Sequence, residues 1–393
     1  MSPPEYLHLA SPLGPISRPL LPHPPRDALP SEIPIIDLAP LFSTDVSLRR
    51  QLASLIRQAA TTSGFLYISN HGIPLSLFQT AQNASLNWFR SPLAAKEPAN
   101  TSNSLKNKGV VGYRPRQTQH INPWESVDIR ESFSWRYDPA YDPLHSPSSL
   151  GDIPAHVKKY VEHDSDGFPW SVMPKGFSQP VIQLYQAILS LGRQLARLFA
   201  LALGLGEQDL DEKFTWPDAG LAVNYYPPIT LPSQEQQQHD AEGEGQKPKV
   251  SIGSHTDFQL FTLLYQDNVG GLQVLDTDGQ WLNAKPAEGT LVVNFGDYMQ
   301  RITNGKWMST VHRVVNNSGK ERLSMAFFWG FGLHESCGVL ESVLEEGEEK
   351  KYGEIGCWEW VQRRIEMMRE VKSGLEDSTR VAYLGSMNNA DYR

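Results

Sequence analysis

The sequence predicts a mainly β protein with flanking helices, built around a sandwich or jelly roll. Three observations carry that prediction. Between residues 221 and 331, short strand-like runs follow one another, broken by turn residues such as Asp278-Gly279. Outside that block, apolar residues recur at helical spacing over 47–62 and 178–203. A 40% hydrophobic content with 10 Trp, 14 Tyr and 15 Phe can fill the core such a fold needs.

Residues 1–30 are rich in proline and weak in periodicity, and are expected to form an extended arm over the body. Ile33-Pro34-Ile35-Ile36-Asp37-Leu38 reads as a short strand. Leu48, Leu52, Leu55, Ile56 and Ala59 then mark a helix over 47–62. A strand over Phe65–Ile68 closes at Asn70-His71-Gly72, and 75–97 reads as helical again. Residues 100–170 carry many Ser, Pro, Asp and aromatic residues and read as long loops, of the kind that usually serve function. The long helix over 178–203 stops at Gly204-Leu205-Gly206. Leu221–Tyr226 is a strand ended by Pro227-Pro228. The Gln- and Glu-rich stretch 231–249 reads as a mobile surface insertion.

One strand is expected over 254–264, a hairpin over 271–283, a strand over 291–295 and a short helix towards Asn304-Gly305. Strands over 307–315 and 322–331, an acidic loop at 341–350 and a helix near 354–372 complete the chain. That last helix is expected to present Trp358, Val361, Ile365 and Met368 on one face. The division predicted is an arm (1–30), a helical N-terminal region with substrate-side loops (31–205), a β core (206–335) and a C-terminal loop and helix (336–393).

A net charge of −9 argues against nucleic acid or an anionic membrane as partner. No run is apolar for long enough to cross a bilayer, and the first residues lack a signal-peptide pattern. Two cysteines, Cys337 and Cys357, offer neither a disulfide framework nor a CxxC pair. A cytoplasmic protein acting on a small molecule fits these features.

The chemistry concentrates in Ser254-His255-Thr256-Asp257. On a strand, His255 and Asp257 point the same way. With His312 on a later strand they form two imidazoles and one carboxylate with open positions opposite, the facial set of non-haem Fe(II) oxygenases. Counting by two also places Arg322 with Ser324, and Asn224 with Tyr226, on shared faces. A guanidinium beside hydroxyls suits a carboxylate, so the pattern suggests a dicarboxylate chelated at one end and anchored at the other. Structural zinc normally has four protein ligands, and only three are found here. His71, His239 and His334 lack this context and are read as structural or solvated.

The ordered set Ile33–Leu38, Gly64–Pro74, Arg130-Glu131-Ser132-Phe133, Asn224-Tyr225-Tyr226-Pro227, His255-Thr256-Asp257, Asn294-Phe295-Gly296-Asp297, His312-Arg313-Val314 and Arg322-Leu323-Ser324 resembles the Fe(II)/2-oxoglutarate-dependent dioxygenases of the isopenicillin N synthase-like family. The resemblance implies a double-stranded β-helix core. It implies Fe(II) at His255, Asp257 and His312, which are thereby the catalytic residues. It implies 2-oxoglutarate at Arg322 and Ser324 with Tyr226 assisting, and Asn224 at the end nearer the metal. O2 is the oxidant, and ascorbate would serve as reductant in vitro. The family reaction yields succinate and CO2 and, by way of a ferryl intermediate, hydroxylates, desaturates or cyclises a substrate, expected here to be a largely apolar secondary metabolite. Tyr113, Phe133, Gln259, Phe328, Trp329 and Phe331 are expected to line its pocket. The alternatives are a 2-oxoglutarate-independent iron oxidase and a non-catalytic small-molecule receptor.

Overall fold

The computed structural model describes residues 5–11, 14–101, 111–145, 153–161, 170–228 and 249–376. Two sheets face each other. The larger has eight strands in the order β4 (Ile35–Asp37), β5 (Phe65–Ser69), β13 (Leu291–Phe295), β10 (Phe261–Gln266), β15 (Arg322–Gly330), β8 (Asp218–Tyr226), β7 (Glu131–Trp135) and β6 (Gly112–Arg114). The smaller runs β3 (Arg26–Asp27), β12 (Trp281–Asn283), β11 (Leu272–Leu275), β14 (His312–Val314) and β9 (Ile252–His255). Pairing is antiparallel except for β4 with β5 and β3 with β12. Half of the large sheet, β4 to β7, therefore comes from the N-terminal region, which is not a separate unit.

Strand alternation gives the large sheet two different faces. Its outer face carries Val223, Leu263, Val293, Leu323, Met325, Phe327 and Trp329, all in one core cluster with residues of the helices. Helix α1 (Val46–Thr62) starts where Asp45 accepts the Ser47 N–H at 2.8 Å, and buries Leu52, Ala53, Ile56, Ala59 and Ala60 as one stripe. The long helix α5 (Lys175–Ala202) follows two short helices, α3 (Leu93–Lys96) and α4 (Ala155–Val161), and α2 (Leu75–Phe89) packs against it. Gly192 lets α5 approach, since a Cβ there would lie 2.0 Å from the Trp329 ring. The inner face meets the small sheet through a second cluster that includes Phe65, Tyr67, Tyr226, Ile252, Leu272, Val274, Val292 and Val314.

Several expectations change. The arm over 1–30 is not simply extended: β1 (Glu5–Ser11) and β2 (Gly14–Leu20) form a hairpin. It buries Leu7 and Leu9 against Leu275, Trp281 and Val311 of the small-sheet region. The helix expected over 75–97 stops at Phe89, because Pro92 lacks the N–H needed to continue it. The region 100–170 contributes β6 and β7. The segment 254–264 is not one strand: β9 ends at His255, and β10 begins at Phe261 in the other sheet. Helix α6 (Asp297–Ile302) follows β13 as expected. Helix α7 (Cys357–Glu376) buries Val361 as expected, but its other deeply buried residues among those described are Cys357, Trp360 and Arg364. Trp358 and Ile365 are half-buried, and the Met368 side chain lies outside the described residues. The insertion at 231–249 lies outside them too, apart from Lys249. No helix among the described residues is long and apolar enough to cross a membrane, and both cysteines are free and buried.

Candidate active site

His255 is the last residue of β9, at the edge of the small sheet, and pairs across with His312 of β14. Asp257 stands in the bend that carries the chain from the small sheet to the large one. Shared strand parity therefore does not align His255 with Asp257; the crossing between sheets does. The three residues offer ligand atoms that all lie within 4.8 Å of one another. Asp257 Oδ1 is 3.7 Å from His255 Nε2 and 3.8 Å from His312 Nε2.

Hydrogen bonds hold each group in the state a metal requires. His255 Nδ1 lies 2.8 Å from the Gly253 carbonyl and His312 Nδ1 lies 3.1 Å from that of Thr310. A carbonyl can only accept, so Nδ1 carries the proton in both rings and Nε2 presents a lone pair. Burial, with the His312 ring beside it, pushes His255 well below its ordinary value and keeps it neutral. Burial would raise Asp257, but the two imidazoles and its hydrogen bonds outweigh it and hold the carboxyl below the usual range. Its Oδ2 accepts from Thr262 Oγ1 at 2.5 Å and from Asn294 Nδ2 at 2.7 Å. Oδ1 is thereby turned to the imidazoles.

The bend itself is clamped. The Asp297 and Tyr298 N–H groups, at the start of α6, donate to the Asp257 and Phe258 carbonyls at 2.8 and 3.2 Å. Gly296 makes this possible, because a Cβ there would meet the Gln259 carbonyl oxygen at 2.3 Å. Asp297 in turn accepts from Thr256 and Ser309 and pairs with buried Arg364 of α7 at 2.9 Å. The Asn-Phe-Gly-Asp run helps to carry the resemblance but receives no role from it; Asn294 and Asp297 are its working residues.

The second point lies along the inner face of the large sheet. Register places Arg322 opposite Tyr226 and Ser324 opposite both Asn224 and Gln266. Arg322 is 1% exposed. Its Nε donates to the Gly270 carbonyl and its Nη2 to Gln266 Oε1 at 3.3 Å, while Nη1 has no partner among the described residues. The guanidinium lies 4.6 Å from the Tyr226 ring centroid, and the Tyr226 hydroxyl is 3.3 Å from Ser324 Oγ. Leaving a buried guanidinium nitrogen unpaired is costly, so this point fits an incoming carboxylate. Gln266 is not singled out by the sequence reading, although it shares the face of Thr262. Asn224 accepts a short hydrogen bond from Arg130 Nη1 through its Oδ1.

The expected pocket residues separate by strand parity. Phe328 lies on the inner face, paired with Thr262. Gln259 lies in the bend, donating to Asp218. Tyr113, Phe133, Trp329 and Phe331 are instead on the helix side. Tyr113 bonds Glu131 at 2.7 Å, Phe133 packs on Trp88 and Phe177, Trp329 stacks on Phe261, and Phe331 packs on Phe214. They are core, because each stands an odd number of residues from a neighbour that faces the site. His71 accepts from the Ile73 N–H and packs on Phe78, and His334 sits beside Glu335; neither joins the triad. His239 lies outside the described residues.

Comparison with known proteins agrees with this geometry. Residues 217–330 match the 2OG-Fe(II) oxygenase superfamily, and 33–152 match the N-terminal family described as non-haem dioxygenase in morphine synthesis. The chain is 47% identical over 359 residues to the 2-oxoglutarate-Fe(II) type oxidoreductase ppzC of Metarhizium majus, covering 91% of this chain and 93% of that one. A solved 2OG-Fe(II) oxygenase family protein of Caulobacter crescentus superposes with a TM-score of 0.68 at 25% identity, over 87% and 100% of the two chains. A full-length Neurospora crassa protein solved in complex with alpha-KG does so with a TM-score of 0.65 at 25% identity, over 84% and 95%. The chain belongs to the 2-oxoglutarate-Fe(II) oxygenase family; it is a dioxygenase whose cofactors are Fe(II) and 2-oxoglutarate.

Proposed function

From that membership, we propose that the chain oxidises a small secondary metabolite, by hydroxylation, desaturation or ring closure, at a two-point site between its sheets. We read the facing sheets as a double-stranded β-helix. Residues 206–335 are its catalytic core, and 31–205 complete its large sheet. The single observation that carries the assignment is the pairing of a preset triad with a buried guanidinium that lacks one partner, on converging faces.

In this reading His255, Asp257 and His312 hold Fe(II), while Arg322, Ser324 and Tyr226 hold the distal carboxylate of 2-oxoglutarate. Bound there, the iron and cosubstrate supply the oxidising chemistry with O2. The chain's own residues do the rest. Gly253 and Thr310 carbonyls fix the imidazole tautomers, and Thr262 and Asn294 fix the carboxylate. Arg322 orients the cosubstrate by a directional pair of hydrogen bonds. Phe328 and the facing sheet limit access of water to the reacting C–H bond. With four of the six aromatic and polar pocket candidates in the core, the structure gives no reason for the substrate to be largely apolar. Likeness to fungal oxidoreductases of the same cofactor type supports the substrate class.

Two measurements test the reading. Anaerobic addition of 2-oxoglutarate to the Fe(II) protein should raise a weak visible charge-transfer band, lost in Arg322→Gln at moderate cosubstrate concentration. With O2 and ascorbate, a screen of small metabolites should release succinate and a product oxidised at carbon. A band that survives Arg322→Gln unchanged would remove Arg322 from its assigned role.

A further inference from the structure

β9 is the outermost strand of the small sheet, with β14 on its one paired side. Between the two pairs these strands share, His255–His312 and Ile252–Val314, β14 has one residue, Arg313, and β9 has two, Gly253 and Ser254. β9 is therefore bulged immediately before His255. A bulge re-aims the side chains beside it, and the backbone groups it takes out of the ladder need other partners.

Those partners come from the loop between β6 and β7. The Gly253 N–H donates to Asp128 Oδ1 at 3.2 Å. The Ser254 N–H donates to Glu125 Oε2 in a short bond, and Ser254 Oγ donates to Glu125 Oε1 at 2.8 Å. Just ahead of β9, the Val250 N–H donates to Ser126 Oγ at 3.0 Å. Gly253 lets the loop come this close, since a Cβ there would lie 2.9 Å from the Asn122 backbone nitrogen. The loop thus stands where a further strand would, and its side chains do the pairing. It is braced from within: Asp128 Oδ1 also accepts the Ile121 N–H at 3.4 Å, and the Glu125 N–H donates to the Asn122 carbonyl at 3.1 Å. Both carboxylates are buried.

We infer that Glu125 and Asp128 are positioning residues for the metal centre: they fix the bulge that aims His255, and Glu125 also ties it to the strand of His312. The inference rests on the reading of these two histidines as Fe(II) ligands and adds the device that sets them against each other. Glu125 meets the chain neighbours of both. Ser254 precedes His255, and Arg313 follows His312 with its Nη1 3.8 Å from Glu125 Oε1. Arg313 is itself held, its guanidinium 3.9 Å from the Trp281 ring centroid and its Nε donating to Gln273 Oε1 at 2.9 Å. Asp128 acts one peptide further back: it holds the Gly253 N–H, and the Gly253 carbonyl is the group that keeps the His255 proton on Nδ1. Without these anchors the bulge can relax towards regular pairing, and a one-residue slip turns alternate side chains to the other face. That would carry the His255 ring away from His312 and Asp257.

The test is anaerobic calorimetric titration of the metal-free full chain with Fe(II), beside urea denaturation of the same samples. Glu125→Ala should weaken Fe(II) roughly tenfold or more, the usual size for a group that orients a metal ligand from behind. Glu125→Gln keeps an acceptor for the Ser254 N–H but loses the charge facing Arg313, and should lose less. Asp142→Asn is the structural control. Asp142 is as buried as Glu125 but pairs with Arg193 of α5, on the helix side. That variant should lower the urea midpoint and leave Fe(II) affinity at the parent value. With Co(II) as probe, the visible ligand-field bands should shift in Glu125→Ala and stay in place in Asp142→Asn. Parent-like Fe(II) affinity in Glu125→Ala overturns the inference, as does an equal loss in Asp142→Asn. Should the alanine variant not fold, parent-like affinity in Glu125→Gln overturns it instead. His255→Ala tests the metal reading separately: Fe(II) binding as tight as the parent's sinks that reading. Loss of Fe(II) in His255→Ala beside intact binding in Glu125→Ala removes the role of Glu125 alone.

Discussion

The two faces of the large sheet differ in what their side chains leave undone. On the outer face, Trp329, Phe327, Met325 and Leu323 are closed over by α5 and its neighbours in one apolar cluster. On the inner face, one residue away along the same β15, Arg322 and Ser324 are just as buried, yet the guanidinium keeps an unsatisfied nitrogen. Burial alone therefore does not separate core from site. Incomplete hydrogen bonding adds to it only on the face that carries the triad, since Trp88 Nε1 and two Arg364 nitrogens also lack a partner among the described residues.

The sharpest way to break this contrast is to remove one residue from each side. Asp257→Ala should take succinate release to background while leaving the urea midpoint nearly unchanged, since the carboxylate serves the metal. Trp329→Ala should do the reverse, costing about 3–5 kcal/mol of stability measured by urea denaturation, with the remaining folded fraction turning over normally. If Asp257→Ala proved the more destabilising of the two, the contrast between faces would be wrong.

Much of this was legible in the sequence, and the misses share a cause. The order His255, Asp257, His312, Arg322, Ser324 could be read from spacing and resemblance, and so could the strands of His255, His312, Arg322 and Ser324. The residues behind them could not, because Asn294 reaches Asp257 from 37 residues away and Asp297 reaches Thr256 from 41, while Thr262, only 5 residues from Asp257, meets it through the change of sheet. The Ser254–Leu264 run hid a change of sheet: its apolar residues belong to β10, while His255 ends β9. Glu131-Ser132-Phe133-Ser134-Trp135 alternates cleanly, which is a strand signal, but it stands alone amid loop-like sequence. The aromatic pocket expectation failed on phase. Trp329 and Phe331 are out of step with Phe328 by an odd number of residues, so they face the helices.

On the inner face itself, Arg322→Gln should weaken 2-oxoglutarate by on the order of a hundredfold, the loss of a directional pair of charge-assisted bonds. The anaerobic titration of the visible band reads this directly. Stability should hold within about 1–2 kcal/mol, because the buried cation that needed a partner goes with the bonds it made.

The smallest expected effect tests whether the groups behind the triad belong to the site or to the core. Thr262 and Asn294 pair across β10 and β13 and both donate to Asp257 Oδ2. If they serve the metal, Thr262→Val and Asn294→Ala should each lower Fe(II) affinity by about 10–100-fold, the usual effect of freeing a ligand from its orienting hydrogen bond. Excess Fe(II) should then restore most of the turnover. Thr262→Val nearly preserves volume, so packing changes little, and a large loss of stability would show that its hydroxyl braces the sheet. The double variant decides further. Either bond alone turns Oδ1 to the imidazoles, so losing both should cost more iron affinity than the two single losses combined.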